Sequence, residues 1–382
     1  MSGNRPAIYF DHAATTKVKE QALAAMLPFL REQFGNPSSL HGPGLLAKKA
    51  MQQARAEIAG LLGCETNEIL FTSGGTEADN WAIQGYLLGN PGAGKHIITS
   101  AVEHPAVLKT CEFMKRFGYE VTILPVTKEG VVTPESVRQA IRKDTALITV
   151  QTANNEIGTV EPIEEIGHIA AERGIAFHTD AVQAVGTLPI DLKSLPVTML
   201  SASGHKFGGP KGSGFLYVKN GTKLEPLLHG GPQEKRMRAG TENVPGIVGM
   251  AAALSGALRQ DYGAAGKLRD YTEQRIVTEI PDVRINGAAA NRLPGSLSVS
   301  IGGVEAVSVL VFLDLAGIAA SGGSACTSAE NKPSEVLRAI GAEEPYLSGT
   351  VRFTFSADNV REEADYAVDV LKETVKKLRG SR

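Results

Sequence analysis

The chain has 382 residues, 42% of them hydrophobic and 21% charged, with a formal net charge of −2. That length exceeds a single compact core, so two domains are expected, and the near-neutral charge excludes an electrostatic case for nucleic acid or membrane surfaces. No apolar run reaches the ~18 residues of a membrane span. The start, Met1-Ser2-Gly3-Asn4-Arg5-Pro6, lacks an apolar signal core, so a cytoplasmic protein is expected. Three scattered cysteines, Cys64, Cys111 and Cys326, argue against a disulfide framework or a zinc cluster, and no metal site is expected.

Ile8-Tyr9-Phe10-Asp11 reads as a short strand, followed by a small-residue turn, His12-Ala13-Ala14-Thr15-Thr16. A helix is predicted over 19–34, a Gly/Pro/Ser/Asn loop over 35–44, and an amphipathic helix over 45–62 stopped by Gly63. After a strand at 69–72 comes Ser73-Gly74-Gly75-Thr76-Glu77, opening a helix that runs to about residue 88. A Gly75-Thr76 turn at a helix start gathers backbone N–H groups and a hydroxyl, which suits an anion as well as a plain N-cap. Gly89-Asn90-Pro91-Gly92-Ala93-Gly94-Lys95-His96 has the spacing of a nucleotide loop. It carries His where Ser or Thr is needed and runs from helix to strand, so it is read as a connecting turn.

From there strands are predicted at 96–99, 121–126, 146–151, 175–179, 197–201 and 215–218, with helices at 106–117, 134–142 and 163–173. This alternation predicts an α/β fold with a mostly parallel sheet covered on both faces. Ligands in such sheets sit beyond the carboxyl ends of the strands. Gly75 and Thr76, His104, Asn155, Asp180 with Gln183, and Ser203, His205 and Lys206 all fall at those ends.

Lys206 lies in the Gly/Ser-rich bend after the strand that follows Asp180. A lysine and an acid so placed suit pyridoxal phosphate: the lysine forms the Schiff base and the acid keeps the pyridine nitrogen protonated. An imidazole at His104 can stack on such a ring and carry protons near neutrality. A basic, turn-rich segment at 228–241 precedes a small-residue helix over 244–258. Near residue 260 the pattern changes to a helix, a strand at 297–301 and an apolar run at 304–316. A smaller α/β domain of residues 1–14 and 260–382 is therefore expected beside a large domain of 15–259.

Within the smaller domain, Cys326 lies on a loop with little apolar bulk, the exposure a nucleophilic thiolate needs, whereas Cys64 and Cys111 read as buried and inert. Arg352 in the apolar run Val351-Arg352-Phe353 is either a structural ion pair or a carboxylate clamp, and an amino-acid substrate calls for the clamp.

With these residues in place, the chain resembles the cysteine desulfurases of the NifS/IscS type, class V aminotransferases of pyridoxal phosphate fold type I. The resemblance runs from Tyr9-Phe10-Asp11-His12-Ala13-Ala14-Thr15-Thr16 to Val351-Arg352-Phe353. Its most specific stretches are Phe71-Thr72-Ser73-Gly74-Gly75-Thr76-Glu77, Asn154-Asn155-Glu156-Ile157-Gly158, Ser203-Gly204-His205-Lys206 and Ser324-Ala325-Cys326-Thr327-Ser328. It implies Lys206 as the Schiff-base lysine, Asp180 on the pyridine nitrogen, Gln183 on the ring hydroxyl and His104 on the ring face. Thr76, Ser203 and His205 would hold the phosphate, with Thr241 supplied by the partner subunit of a homodimer. Asn155 and Arg352 would hold the substrate carboxylate. The implied reaction turns L-cysteine into L-alanine and leaves a persulfide on Cys326 for a sulfur-acceptor protein, in iron–sulfur cluster assembly or in thiolation of tRNA or other targets. A selenocysteine lyase would share nearly all of these residues. Another class V aminotransferase or lyase would share the cofactor residues without needing Cys326. Gly322-Gly323, and Ser356-Ala357-Asp358-Asn359 after the Arg352 strand, depart from the family pattern.

Overall fold

A computed structural model describes residues 8–323 and 334–380. Its strands are β1 (Ile8–Tyr9), β2 (Ile69–Thr72), β3 (His96–Ser100), β4 (Glu120–Leu124), β5 (Thr145–Thr149) and β6 (Ala176–Asp180). They continue as β7 (Met199–Ser203), β8 (Gly214–Val218), β9 (Val283–Asn286), β10 (Ser296–Ile301), β11 (Ile318–Ala319) and β12 (Thr350–Thr354). A seven-stranded sheet has the order β2-β8-β7-β6-β5-β3-β4, and β8 alone runs antiparallel to its neighbours. This is the mostly parallel α/β architecture expected from the alternation of strands and helices.

Successive residues of each strand feed opposite faces of the sheet. Phe71, Ile98, Ile148, Leu200 and Phe215 pack on one face with Ile58 and Leu62 of the Gly42–Leu62 helix, Ile166 of Ile163–Glu172 and Leu254 of Val244–Ala257. Their neighbours Leu70, Ile97, Leu147, Met199 and Leu216 pack on the other face with Trp81, Ile83 and Leu87 of the Gly75–Gly89 helix. The edge strand β4 is only partly buried and leaves Glu120 exposed, a charge of the kind that protects a sheet edge.

A second core lies on the antiparallel sheet β12-β10-β9, with β1 and β11 paired beside it. Leu297, Val299, Ile301, Val351 and Phe353 meet Leu313 of the Ala306–Leu315 helix, Ile276 of Gly263–Glu279 and Leu371 of Arg361–Gly380. Phe10 is fully buried in this core, 4.8 Å from Phe355 between ring centres. The N-terminal strand thus enters the second core, and the turn that follows it lies over the carboxyl ends of the large sheet. Among the described residues, no helix is long and apolar enough to cross a membrane. Cys111 is buried and Cys64 half-buried, and burial pushes both thiols up to about 12, so they keep their protons.

Candidate active site

The strands β2, β3, β5, β6 and β7 end on one rim, and a cavity of about 210 Å³ opens there. Gly75, Thr76, His104, Asn155, Asp180, Gln183, Ser203, His205, Lys206 and Arg352 all line it. Ten residues singled out in the sequence therefore meet in one place.

One end of the cavity suits an anion. Gly74, the N-cap of the Gly75–Gly89 helix, sits at φ 152° and ψ −176°, a conformation that favours glycine, and has no side chain to cap the first turn. The first-turn N–H groups and the dipole of that helix therefore face the cavity beside Thr76, Ser203 and His205. A Cβ on Gly75 would come within 2.5 Å of Val182, so only glycine lets helix and sheet approach this closely. Glu77 braces the turn by accepting from Ser73 N–H at 2.9 Å while Arg238 clasps its two carboxylate oxygens at 2.8 and 3.0 Å. Burial first, then Lys206 and Lys211, pushes the His205 imidazole down to about 4, so it is neutral near pH 7.

The other end is set for a ring and an amine. Lys206 Nζ donates to the carbonyls of Ala13 at 2.5 Å and Ala14 at 3.1 Å, and Gln183 also donates to Ala13 at 3.1 Å. The Ala13-Ala14 turn thereby holds both side chains in place. Asp180 ends β6, buried, and accepts from Val182 N–H at 2.9 Å. Burial raises its carboxyl above the usual range, against the pull of His104, the Val182 N–H and Lys206. His104 caps the Pro105–Met114 helix by accepting from Ala106 N–H on Nδ1 at 3.1 Å, which places the proton of the neutral ring on Nε2. Burial lowers its basicity, with Asp180 opposing and Lys206 assisting.

Arg352 stands on β12, buried at 1% exposure, and reaches the cavity across the second sheet. Its Nη1 donates to the Asn155 carbonyl at 2.6 Å and its Nη2 to Asp11 at 2.7 Å, while Nε has no partner among the described residues. A buried guanidinium with donors to spare beside a cavity is built for a carboxylate.

These residues fit pyridoxal phosphate. The uncapped helix start matches its phosphate, Lys206 its aldehyde, and the incompletely compensated carboxyl of Asp180 its protonated ring nitrogen. Thr241 is not brought into this cavity. It is exposed, in a depression with Phe71, Ser73, Gly212 and Arg238. Cys326 lies outside the described residues. The sequence reading missed Asp79, which is buried and lines the cavity one helical turn after Thr76. That i, i+3 spacing was the available signal.

Residues 8–367 match the family model of class-V aminotransferases. Cysteine desulfurase IscS of Methanosarcina thermophila is 49% identical to the chain, over all of this chain and 95% of that protein. The IscS of Dictyoglomus turgidum is 48% identical over 97% of this chain and 95% of its own. Among solved structures, a NifS-like protein superposes with a TM-score of 0.91 at 36% identity, covering 97% of this chain and 100% of that one. SspA in complex with cysteine superposes at 0.82 and 39% identity, covering 92% and 100%. The chain belongs to the class-V aminotransferase family and, within it, groups with the IscS-type cysteine desulfurases.

Proposed function

We propose that the protein is a pyridoxal phosphate-dependent cysteine desulfurase that converts L-cysteine to L-alanine and carries the released sulfur on Cys326. The observation behind this reading is the convergence of Lys206, Asp180 and Arg352, an amine, an acid and a guanidinium, on one cavity. When bound, pyridoxal phosphate supplies an electron sink for the charge that develops at the substrate Cα.

The chain's own residues do the rest. Thr76, Ser203, His205 and the first turn of the Gly75–Gly89 helix would hold the phosphate, and Gln183 would bond the ring hydroxyl. Asp180 would keep the ring nitrogen protonated, and His104 would stand beside the ring. Arg352, with Asn155 beside it, takes the substrate carboxylate. Lys206 Nζ would hold the cofactor and is the group that takes and returns a proton at the substrate Cα. The Cys326 thiolate attacks the substrate sulfur: a sulfur–sulfur bond forms, the carbon–sulfur bond breaks, and the electron pair left on carbon picks up a proton. One cysteine and one thiol thus become one alanine and one persulfide. Thr241, exposed and outside its own cavity, fits a role at the phosphate of a second subunit in a homodimer. The persulfide sulfur then passes to an acceptor protein.

The test is release of alanine and sulfide from L-cysteine with a reductant, for the wild type and Cys326→Ala. The expected outcome is turnover by the wild type, at least ~100-fold slower in the variant, with the cofactor's visible absorbance retained. Alanine release at the wild-type rate from Cys326→Ala would remove the persulfide step. A yellow wild type that releases no sulfide would redirect the reading to another amino-acid substrate.

A further inference from the structure

Asp79 is a titratable group in the cavity wall that the mechanism above leaves unused. It lies on the Gly75–Gly89 helix at 1% exposure, and its Oδ1 has no hydrogen-bond partner among the described residues. A carboxylate oxygen of Asp79, one of Asp180 and a ring nitrogen of His104 all lie within 4.8 Å of one another. Two buried carboxyl groups this close do not both ionise, because each charge lacks solvent and repels the other.

The surroundings decide which one keeps the charge. Asp180 accepts the Val182 N–H at 2.9 Å and feels His104 and Lys206. The imidazole closest to Asp79 is His178, fully buried on β6, whose Nε2 lies 3.7 Å from Asp79 Oδ1. That distance is too long for a hydrogen bond. Both His178 nitrogens are engaged, Nδ1 with Thr149 at 2.8 Å and Nε2 with Ser201 at 2.9 Å. Burial pushes this imidazole down to about 3, so it is neutral and offers Asp79 no positive charge. Glu103, also buried, faces Asp79 as a further acid, and the Ser201 hydroxyl is the one group that opposes the rise of its carboxyl. Lys206 and the Val182 N–H therefore favour a charge on Asp180, and the proton of the pair belongs on Asp79.

We propose that Asp79 is a positioning residue that works as a neutral carboxylic acid, so that the Asp79–Asp180 pair carries one negative charge and Asp180 alone presents it to the cofactor's ring nitrogen. This rests on the cavity being a pyridoxal phosphate site. In the pair, the proton on Asp79 removes the like-charge repulsion that would otherwise draw a proton onto Asp180.

Two measurements test it. In the first, full-length apoprotein is titrated with pyridoxal phosphate and uptake is followed by visible absorbance. Relative to wild type, Asp79→Ala should bind ~10-fold more weakly, Asp79→Asn should recover to within ~3-fold, and Asp180→Asn should stay at least ~10-fold weaker. Asp79→Asn as weak as Asp180→Asn would mean that a charge on Asp79 is needed, and Asp79→Ala binding like wild type would mean that it positions nothing. Either result overturns the proposal.

The second needs no cofactor. A carboxyl that keeps its proton longer in the folded chain than in the unfolded one costs stability as pH rises past the unfolded value, and an amide does not. The melting temperature of apo Asp79→Asn relative to apo wild type should therefore rise by at least ~2 °C between about pH 5.5 and about pH 8. Melting curves that stay parallel across that range would sink the proposal. Failure of the wild type to take up cofactor would remove the cofactor reading, while the melting comparison still judges the carboxyl pair.

Discussion

Arg352 divides its guanidinium between the Asn155 carbonyl and Asp11, and its Nε has no partner among the described residues. A lysine there would be a single point charge and could not hold both anchors while offering a flat pair of donors to a carboxylate. Arg352→Lys should therefore raise KM for L-cysteine by roughly 10–100-fold while cofactor affinity changes by less than ~3-fold. Asp11→Asn, which keeps the shape and removes the charge that orients the guanidinium, should give a smaller rise of the same kind. Steady-state kinetics beside a cofactor titration check both, and a loss of cofactor affinity matching the rise in KM would take Arg352 off the substrate. At this scale, Lys206, Asp180, His104 and Arg352 were legible because each puts a reactive group at a strand end or inside an apolar strand, where a bland role is hardest to give it. For Asp79 the spacing from Thr76 was legible, but its burial was not. An acid in the first turns of a helix ordinarily answers the dipole in water, and only the fold shows that this one is dry.

The elements were legible wherever periodicity and a stop signal coincided. The helix predicted to end at Gly63 ends there, with Gly63 at φ 73° and its N–H and that of Cys64 both returning to the Ala59 carbonyl. The helix began earlier than expected, at Gly42, because the His41 ring caps it and Pro43 fits the first turn. A Cβ on Gly63 would come within 2.2 Å of Asp191 Oδ1, an oxygen that already accepts from Lys193 N–H. Gly63→Ala therefore combines left-handed strain with a displaced turn and should cost roughly 1–3 kcal/mol, read by urea unfolding. An unchanged midpoint would show that the 191–194 turn gives way freely. The Arg361–Gly380 helix went unread although Ala364, Ala367, Val368, Leu371 and Val375 are spaced for one buried face. Two of its five core positions are alanine, which blurs the contrast that marks a helical stripe. β9, with only Val283, Arg284, Ile285 and Asn286, is too short for alternation to stand out.

Across the whole molecule, the same burial that shapes the site makes a set of carboxyl groups weaker acids than usual. Burial raises the carboxyl groups of Asp79, Glu103, Glu156, Glu161 and Asp180. None of these could be read from sequence, since each depends on how strands and loops close over it. Glu161 is the best reporter because it lies outside the active-site cavity lining, accepts the Val132 N–H at 2.8 Å through Oε2, and leaves Oε1 buried with no partner among the described residues. Burial pushes it from its ordinary 4.5 up to about 8, with the Val132 N–H opposing. In the unfolded chain it loses its proton near 4.5, so between there and about 8 the folded chain binds the extra proton, and stability falls as pH rises through that window. The full penalty is on the order of 4 kcal/mol once the pH exceeds about 8. Glu161→Gln keeps an oxygen for Val132 and has no charge to bury. Its unfolding free energy should match wild type near about pH 5 and exceed it by a few kcal/mol near about pH 8.5, measured by urea titration at each pH. If the gap between the two proteins did not widen with pH, Glu161 would have to be ionised in the folded chain, with water or a cation reaching Oε1.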